Sequence, residues 1–171
     1  SSRAKTACSV TASRNGSSSG TASITQVRLA SAFDITPASV ADRDALIALD
    51  RRAATDLARL AQIDAALAAG DAFIARARNA EPVGFAITGP RFFGHPFLSL
   101  LVVGEGWRLR GAGKALLAHV EGACGGDRLF TSTNRSNLAM RALLSARGFA
   151  ESGLVENLDP GDPELIYVKF L

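Results

Sequence analysis

The sequence predicts an α/β domain built on a mixed β-sheet. Short runs of alternating or continuous apolar residues, which are typical of strands, are interspersed with longer segments whose apolar residues recur every three or four positions, as in helices. Two predicted helices, at residues 55–69 and 136–147, are each followed directly by a glycine, which commonly ends a helix. The predicted order is strand, two helices, three strands, helix, strand, helix and two strands.

The first part of the domain is predicted to contain one strand, two helices and a hairpin. Residues 33–36 form a short strand that the next proline ends. Residues 42–53 are helical with a weak apolar face, whereas residues 55–69 place three large apolar side chains on one helical face. Residues 72–77 alternate as a strand does, and an Asn-Ala-Glu-Pro turn returns the chain as their hairpin partner, residues 83–88.

A second hairpin-like turn, at residues 89–96, leads into the most apolar strand. Residues 97–103 are apolar except for one serine, which suits a strand that is buried on both faces. Residues 111–124 form a helix with one apolar side, and residues 129–133 form the next strand. The strand at residues 97–103, called the central strand below, is therefore expected to be covered on both faces of the sheet.

The last part of the domain is predicted to contain one helix and two strands. Residues 136–147 are helical and end at a glycine. Residues 149–155 and 165–170 are predicted strands. The loop between them, residues 156–164, is dense in carboxylates and contains two prolines.

The N-terminal segment differs in composition from the rest of the chain. Residues 1–30 are rich in Ser, Ala, Thr and Arg and show no hydrophobic period. We therefore expect a flexible tail at residues 1–30 in front of one domain at residues 31–171. The same composition also describes organelle transit peptides, and this alternative stays open.

Composition and charge limit the classes of function. The chain of 171 residues is 47% hydrophobic and 20% charged, which suits one domain with a core. No apolar run approaches about 18 residues, so no membrane partner is expected. Cys8 and Cys124 form no metal-type pair, which argues against a metal site and fits a cytoplasmic protein. The pI near 9.3 owes much to residues 1–33, which have basic but no acidic side chains, so nucleic acid is not the expected partner.

The turn between the central strand and the next helix is rich in glycine and basic residues. Glycines let the backbone approach a ligand closely, and the first N–H groups of a helix have no partner within the helix. The helix dipole makes that end positive, and Arg108, Arg110 and Lys114 add cationic donors. The turn is therefore a candidate site for a phosphate or pyrophosphate.

Two common phosphate-binding motifs do not fit this turn. A P-loop would need glycine in place of Arg108 and Ser or Thr in place of Ala115. A dinucleotide fingerprint would need glycine at the position of Leu109 or of Leu116. The pattern [RQ]-x-x-G-x-[GA] does fit, and it begins at Arg108.

In this pattern the chain resembles the GNAT superfamily of N-acetyltransferases. Residues 137–149 resemble the second signature of the family, a helix that starts with Asn and ends in Gly-Phe. Residues 72–88 resemble its early pair of strands. The resemblance runs from about Phe33 to Leu171 and implies the family fold, a central mixed sheet of six to seven strands flanked by about four helices.

The resemblance implies the transfer of an acetyl group from acetyl-CoA to a primary amine of a small molecule or peptide, by direct attack of the amine. The pantetheine arm would lie along the central strand, and the pyrophosphate would bind the amides of the glycine-rich turn. Family members often dimerise, so a homodimer is a further expectation. The implied acetyl-CoA-binding residues are Leu101, Val102, Val103, Arg108, Leu109, Arg110, Gly111, Ala112, Gly113, Lys114 and Asn137.

The catalytic acid departs from the pattern of the family. Many relatives carry a tyrosine where this chain has Leu144. The candidates that remain are Ser145, which is adjacent, and Tyr167, the chain's one tyrosine, on the last strand. Solvent is an alternative acid, because a thiolate is a good leaving group.

The catalytic base is also open. His95 precedes the central strand, and histidine is the residue type that most often serves as a base near neutral pH. Glu156 belongs to the acidic loop, so both residues are candidates. Together with Asp159 and Asp162, Glu156 would attract a cationic amine. The alternative for this loop is a solvated turn shaped by proline and glycine.

Two other functions stay open from the sequence. A non-catalytic acyl-CoA-binding module on the same fold would also explain the missing tyrosine. A nucleic-acid-binding protein would use the basic tail together with Arg108 and Arg110. The aromatic content of 6% argues against base stacking and hence against the second alternative.

Overall fold

The structure is a computed structural model that describes residues 32–171. The predicted tail, residues 1–30, lies outside the described residues. A seven-stranded mixed sheet has the order β1-β2-β3-β4-β5-β7-β6, in which the β4–β5 pair is parallel and the other neighbours are antiparallel. The strands are β1 (Phe33–Pro37), β2 (Ala72–Ala77), β3 (Pro82–Phe92), β4 (His95–Val103), β5 (Arg128–Asn134), β6 (Ala150–Val155) and β7 (Glu164–Phe170).

Four α-helices flank the sheet in the described part of the chain, as predicted. Asp56 caps the start of the second helix by accepting hydrogen bonds from two amides of its first turn, and Gly70 ends that helix in the left-handed conformation. Asn137 caps the fourth helix through the amide of Met140. The helices are α1 (Arg43–Leu49), α2 (Leu57–Ala69), α3 (Ala112–Ala123) and α4 (Leu138–Ala146).

The predicted helix at residues 42–53 is wrong in its extent. A 3-10 turn, Val40–Asp42, precedes α1, and a second 3-10 turn, Arg51–Ala54, follows it. Between them Asp50 is extended, and its carboxylate accepts a hydrogen bond from the amide of Arg52. A side chain that caps the following turn in this way ends the helix before it.

The predicted turn at residues 89–96 is also wrong, because β3 and β4 continue through most of it. The connection is a two-residue turn, Phe93 and Gly94, with φ angles of 47° and 85°. Positive φ at both central residues matches the twist of a two-residue hairpin, which lets the flanking strands stay paired. His95 is consequently the first residue of β4 rather than a loop residue.

The two faces of the sheet carry separate apolar cores. On one face α3 packs against β2, β3 and β4 through the fully buried side chains of Leu116, Leu117 and Val120. On the other face α1 and α2 cover Phe85 with Leu46 and Ile63. Alternate residues of β4 serve the two cores, because successive side chains of a strand point to opposite faces. No helix in residues 32–171 is long and apolar enough to cross a membrane.

Glu121 ties α3 to the end of α4 and to β7. Its carboxylate accepts hydrogen bonds from Arg147 and, at 2.8 Å, from Lys169 Nζ, and its side chain is only 10% exposed. Burial alone would raise the pKa of Glu121, but the hydrogen bonds from Arg147 and Lys169 outweigh it and lower the pKa below its ordinary value of 4.5.

We expect Glu121→Gln to lower the free energy of unfolding at neutral pH by roughly 1–3 kcal/mol, since it leaves two half-buried cations without their anion. The folded-state pKa is depressed, so this stabilisation is present above pH 4.5 and is lost as the pH falls through the lower folded-state pKa.

Urea unfolding at about pH 7 and about pH 3 measures both effects. The difference between wild type and variant should shrink in acid, and the exposed Glu156→Gln should show no difference at either pH. Equal stability of Glu121→Gln and wild type at neutral pH would contradict the role of this carboxylate.

Candidate active site

The parallel strands β4 and β5 diverge and open a cleft. They pair only at Phe97 with Phe130 and at Leu98 with Thr131, where the Thr131 hydroxyl also donates to the Leu98 carbonyl at 2.8 Å. Beyond Leu98 the two strands separate. The cleft between them has a volume of about 1000 Å³.

The backbone of β4 presents unpaired groups to this cleft. The amide of Gly104 donates to the carbonyl of Val83 on β3 at 2.9 Å. Because the backbone groups of successive residues point to opposite edges of a strand, the amides of Leu101 and Val103 point away from β3 and toward the gap. The divergence of β5 leaves this edge of β4 without a partner strand.

The loop after β4 turns sharply around glycine. A 3-10 turn, Glu105–Trp107, follows Gly104, and Leu109 and Gly111 then adopt φ angles of 59° and 91° before α3 begins. The backbone amides of residues 109–114 donate to no acceptor within residues 32–171. Successive unpaired amides at the start of a helix form an anion site.

Two exposed cations border this run of amides. Arg108 and Lys114 both line the cleft, and neither has an ion-pair partner in the described part of the chain. Arg110 differs, because its guanidinium lies 5.3 Å from the centre of the Trp107 ring, outside the cleft wall. Trp107 is itself held by Glu81, which accepts a hydrogen bond from Nε1 at 3.1 Å.

Gly113 lets α3 approach the diverging strand closely. A Cβ at this position would lie 3.3 Å from Leu143 Cδ2, 3.5 Å from Val103 Cγ2 and 3.6 Å from Leu101 Cδ2. The first of these distances is tighter than an ordinary van der Waals contact. The glycine therefore fixes the spacing between the start of α3, the edge of β4 and α4.

The β5–α4 loop forms the opposite wall. Asn137 lines the cleft, and its side-chain oxygen accepts a hydrogen bond from the backbone amide of Met140. Its side-chain nitrogen, Nδ2, donates to no residue among those described. The acidic loop holds this wall from behind: Asp159 accepts from Asn134 Nδ2 at 2.8 Å. Asp162 accepts from the amide and hydroxyl of Ser136, and these two bonds lower its pKa below the ordinary value of 3.8.

The structure brings most of the predicted acetyl-CoA-binding residues to one cleft. The exceptions are Arg110, which lies over Trp107, and the side chain of Ala112, which is buried. The predicted residues that line the cleft are Leu101, Val102, Val103, Arg108, Leu109, Gly111, Gly113, Lys114 and Asn137.

None of the four predicted catalytic residues lines this cleft. His95 lies at the paired end of β4, where Nδ1 is 3.6 Å from Asp127 Oδ1. Glu156 is exposed just after β6. Ser145 and Tyr167 line a separate cavity of about 400 Å³ between α4 and β7. Their catalytic roles stay predictions that these positions do not favour.

The contacts of Tyr167 link β7 to β6. It is 4% exposed, and its hydroxyl donates to Glu151 Oε1 at 2.9 Å. Burial raises the pKa of the phenol, and Glu151 raises it further while Arg141 opposes the change. Leu144, at the position of the family's tyrosine, is fully buried.

The connection between α1 and α2 supplies a wall that the sequence alone did not reveal. The residues Asp50, Arg51 and Arg52, together with Arg59 of α2, border the cleft beside β4. Asp50 is 7% exposed although it is charged. A break in a weakly amphipathic helical segment was the signal that could have placed these residues at a site.

The comparisons with known proteins agree with this geometry. The sequence model of the Acetyltransferase (GNAT) family matches residues 42–149. A GNAT-family acetyltransferase from Bacillus cereus is 34% identical, with a TM-score of 0.74, and the match covers 81% of this chain and 96% of that one. The chain therefore belongs to the GNAT acetyltransferase family and is an acetyl-CoA-dependent N-acetyltransferase. None of the curated proteins compared matches the sequence.

Two further solved structures share the fold at lower identity. The ribosomal-protein-S18-alanine N-acetyltransferase from Escherichia coli is 22% identical, with a TM-score of 0.64 and coverage of 80% of this chain and 92% of that one. An acetyltransferase from Bacillus anthracis, in complex with acetyl coenzyme A, is 18% identical, with a TM-score of 0.51 and coverage of 58% and 61%.

Proposed function

We propose that the protein acetylates a primary amine of a small molecule or peptide by direct attack of the amine on bound acetyl-CoA. One observation carries the proposal: the unpartnered amides of residues 109–114 and the unpaired edge of β4 open into the same cleft. An anion site and a strand edge side by side suit a ligand with a diphosphate and an amide-containing arm.

The residues present fit this cosubstrate. Arg108 and Lys114 supply cations beside the unpaired amides, which suits a diphosphate. The backbone groups of Leu101 and Val103 that point away from β3 can pair with the amides of a pantetheine arm. The unpaired side-chain nitrogen of Asn137 supplies a further hydrogen-bond donor. Leu109 is fully exposed at the tip of the loop, where an apolar side chain contributes little to folding.

The chain contributes positioning and backbone donors to the reaction. When bound, acetyl-CoA would supply a thioester whose carbonyl carbon accepts the amine nitrogen, so that the carbon–sulfur bond breaks and CoA leaves as a thiolate, which takes a proton from solvent. A β4 amide, that of Leu101 or Val103, donates toward the charge that develops on the carbonyl oxygen. Such donors are effective because the folded strand holds them in place before the reaction begins.

Water is the proton acceptor in this proposal. The cleft wall carries neither histidine nor tyrosine among residues 32–171. Its carboxylates are Asp50, which is buried, Glu105, which is paired with Arg51 at 2.6 Å, and Glu164 beside Asn134. In this proposal the amine proton passes to solvent in the open cleft.

A thermal-shift titration with acetyl-CoA, followed by CoA-thiol release with a panel of primary amines, tests the proposal. Acetyl-CoA at about 100 times its Kd should stabilise the protein by roughly 2.7 kcal/mol, since it binds only the folded state. Thiol release that requires both protein and amine should follow. Binding without thiol release would instead support a non-catalytic acyl-CoA-binding module, and no binding would refute the proposed site.

A further inference from the structure

The wall formed by Arg51, Arg52 and Arg59, here called the arginine wall, faces the same cleft as the proposed acetyl-CoA site but belongs to the other face of the sheet. The three residues lie on the α1–α2 connection and the first turn of α2, beside Leu100 and Val102. The glycine-rich turn occupies the α3 side. A molecule that contacts the arginine wall therefore approaches β4 from the side opposite the glycine-rich turn.

Arg59 is the most buried of the three arginine side chains. Its side chain is 16% exposed, whereas those of Arg51 and Arg52 are 78% and 71% exposed. Nη1 donates to Gln62 Oε1 at 3.3 Å, and Gln62 in turn donates to the hydroxyl of Ser99 on β4 at 3.4 Å. This chain of contacts holds Arg59 against the diverging strand.

Arg59 keeps a free donor while its counter-ion is nearby. Nε lies 3.5 Å from Asp50 Oδ2, an ion-pair distance without hydrogen-bond geometry. Nη2 has no hydrogen-bond acceptor among residues 32–171. A guanidinium that is fixed by two neighbours and retains an unused nitrogen is suited to a carboxylate.

The burial of Asp50 indicates that a ligand group bound beside Arg59 is negatively charged. Oδ1 accepts from the amide of Arg52 at 3.0 Å, and Oδ2 is inaccessible to solvent. A ligand in the cleft therefore meets the guanidinium of Arg59 rather than the carboxylate of Asp50. Of the other carboxylates in the cleft wall, Glu105 is paired with Arg51, and Glu164 belongs to β7, across the gap between β4 and β5 from Arg59.

We propose that Arg59 binds a carboxylate of the acceptor, so that the acceptor is a primary amine that also carries a carboxylate, such as an amino acid or an acidic peptide. This inference rests on the proposed acetyl transfer and names the acceptor class for the same cleft. Asp50 acts through Arg59 as a positioning residue, because it lies against Nε and leaves Nη2 free.

The test compares acceptor pairs that differ only in the carboxylate. Leucine with leucinamide, glutamate with glutamine, and a tetrapeptide with its C-terminal amide are assayed by CoA-thiol release with the full chain. We expect wild type to favour the carboxylate member of at least one pair, and Arg59→Gln to reduce that preference in kcat/KM by about tenfold or more. Comparing the ratio within a pair between wild type and variant cancels the different basicities of the two amines.

Two variants control for charge and for folding. Arg78→Gln removes the same charge from an exposed position in the β2–β3 turn, outside the cleft, and should leave the ratio unchanged. Arg59→Lys keeps the positive charge but lacks the planar guanidinium, so its preference for the carboxylate member should lie between those of wild type and Arg59→Gln. Arg59→Lys also tests the proposal if Arg59→Gln fails to fold. The KM for acetyl-CoA should be the same in all variants.

The outcomes separate this inference from the proposed function. Equal or better use of the amides, an unchanged ratio in Arg59→Gln, or an equal loss in Arg78→Gln would overturn the role of Arg59. A wild type that binds acetyl-CoA but acetylates no member of the panel overturns it too and leaves the acetyl-CoA site standing. A wild type that does not bind acetyl-CoA refutes the proposed function itself.

Discussion

Replacing Arg108 by glutamate and Gly111 by valine in one variant is expected to weaken acetyl-CoA binding by at least about a hundredfold. The first change removes a charge-assisted hydrogen bond and adds repulsion toward a diphosphate, which together exceed the roughly 2.7 kcal/mol that a hundredfold requires. The second places a β-branched side chain at a φ of 91°, a conformation that such residues avoid. The amides of residues 109–114 would then no longer converge.

Isothermal titration calorimetry with acetyl-CoA measures this loss, and circular dichroism shows whether the variant remains folded. Arg78→Glu makes the same charge reversal at an exposed position in the β2–β3 turn, outside the cleft, and should bind as wild type does. Unchanged binding in the double variant would remove the anion site from the proposal. Equal loss in Arg78→Glu would show that only the overall charge matters.

Phe85→Ala is expected to lower the free energy of unfolding by about 3–5 kcal/mol. Phe85 lies on β3 opposite Val102 and is fully buried under α1 and α2. Truncation removes the buried ring and leaves a cavity behind the strand edge that borders the cleft. Since a domain of this size has a total stability of only about 5–15 kcal/mol, the loss is severe.

Urea denaturation of wild type and Phe85→Ala gives this difference directly. Phe93→Ala is the matched control, because Phe93 is 88% exposed at the tip of the β3–β4 hairpin. Its change should stay within about 0.5 kcal/mol. Similar losses at the two positions would contradict the assignment of Phe85 to the core.

Most of the fold could be predicted because its signals are local. The alternation in β2 and the apolar face of α3 appear within single segments, and the strand at residues 72–77 matches the prediction residue for residue. The errors arose where a side chain or a turn overrides the pattern. Asp50 stops α1 by bonding to the amide of Arg52, and the turn at Phe93 and Gly94 lets β3 and β4 run on.

The candidate site divides in the same way. The anion site could be predicted because its glycines and basic residues are contiguous in sequence, between Gly104 and Lys114. The arginine wall could not be predicted, because Arg59 is held beside the cleft by its ion pair with Asp50 and by Gln62, which bonds to Ser99 on β4. Contacts between residues so far apart depend on the tertiary packing that no local pattern encodes.

The acidic loop shows what composition alone does not reveal about a charged segment. Its density of carboxylates suggested attraction of a cationic amine. The structure instead pairs Asp159 with Asn134 and Asp162 with Ser136, so the loop supports the β5–α4 connection that carries Asn137. Charges that already have partners within the fold do not contribute an open attraction to a ligand.

The divergence of β4 from β5 leaves the sheet as two panels, β1 to β4 and β5 to β7, joined edge to edge by only two residue pairs. A pantetheine arm in the gap between β4 and β5 would take the place of the missing strand-to-strand hydrogen bonds. Binding of acetyl-CoA would then also hold the two halves of the sheet together, so the free energy of unfolding would be highest for the acetyl-CoA-bound protein.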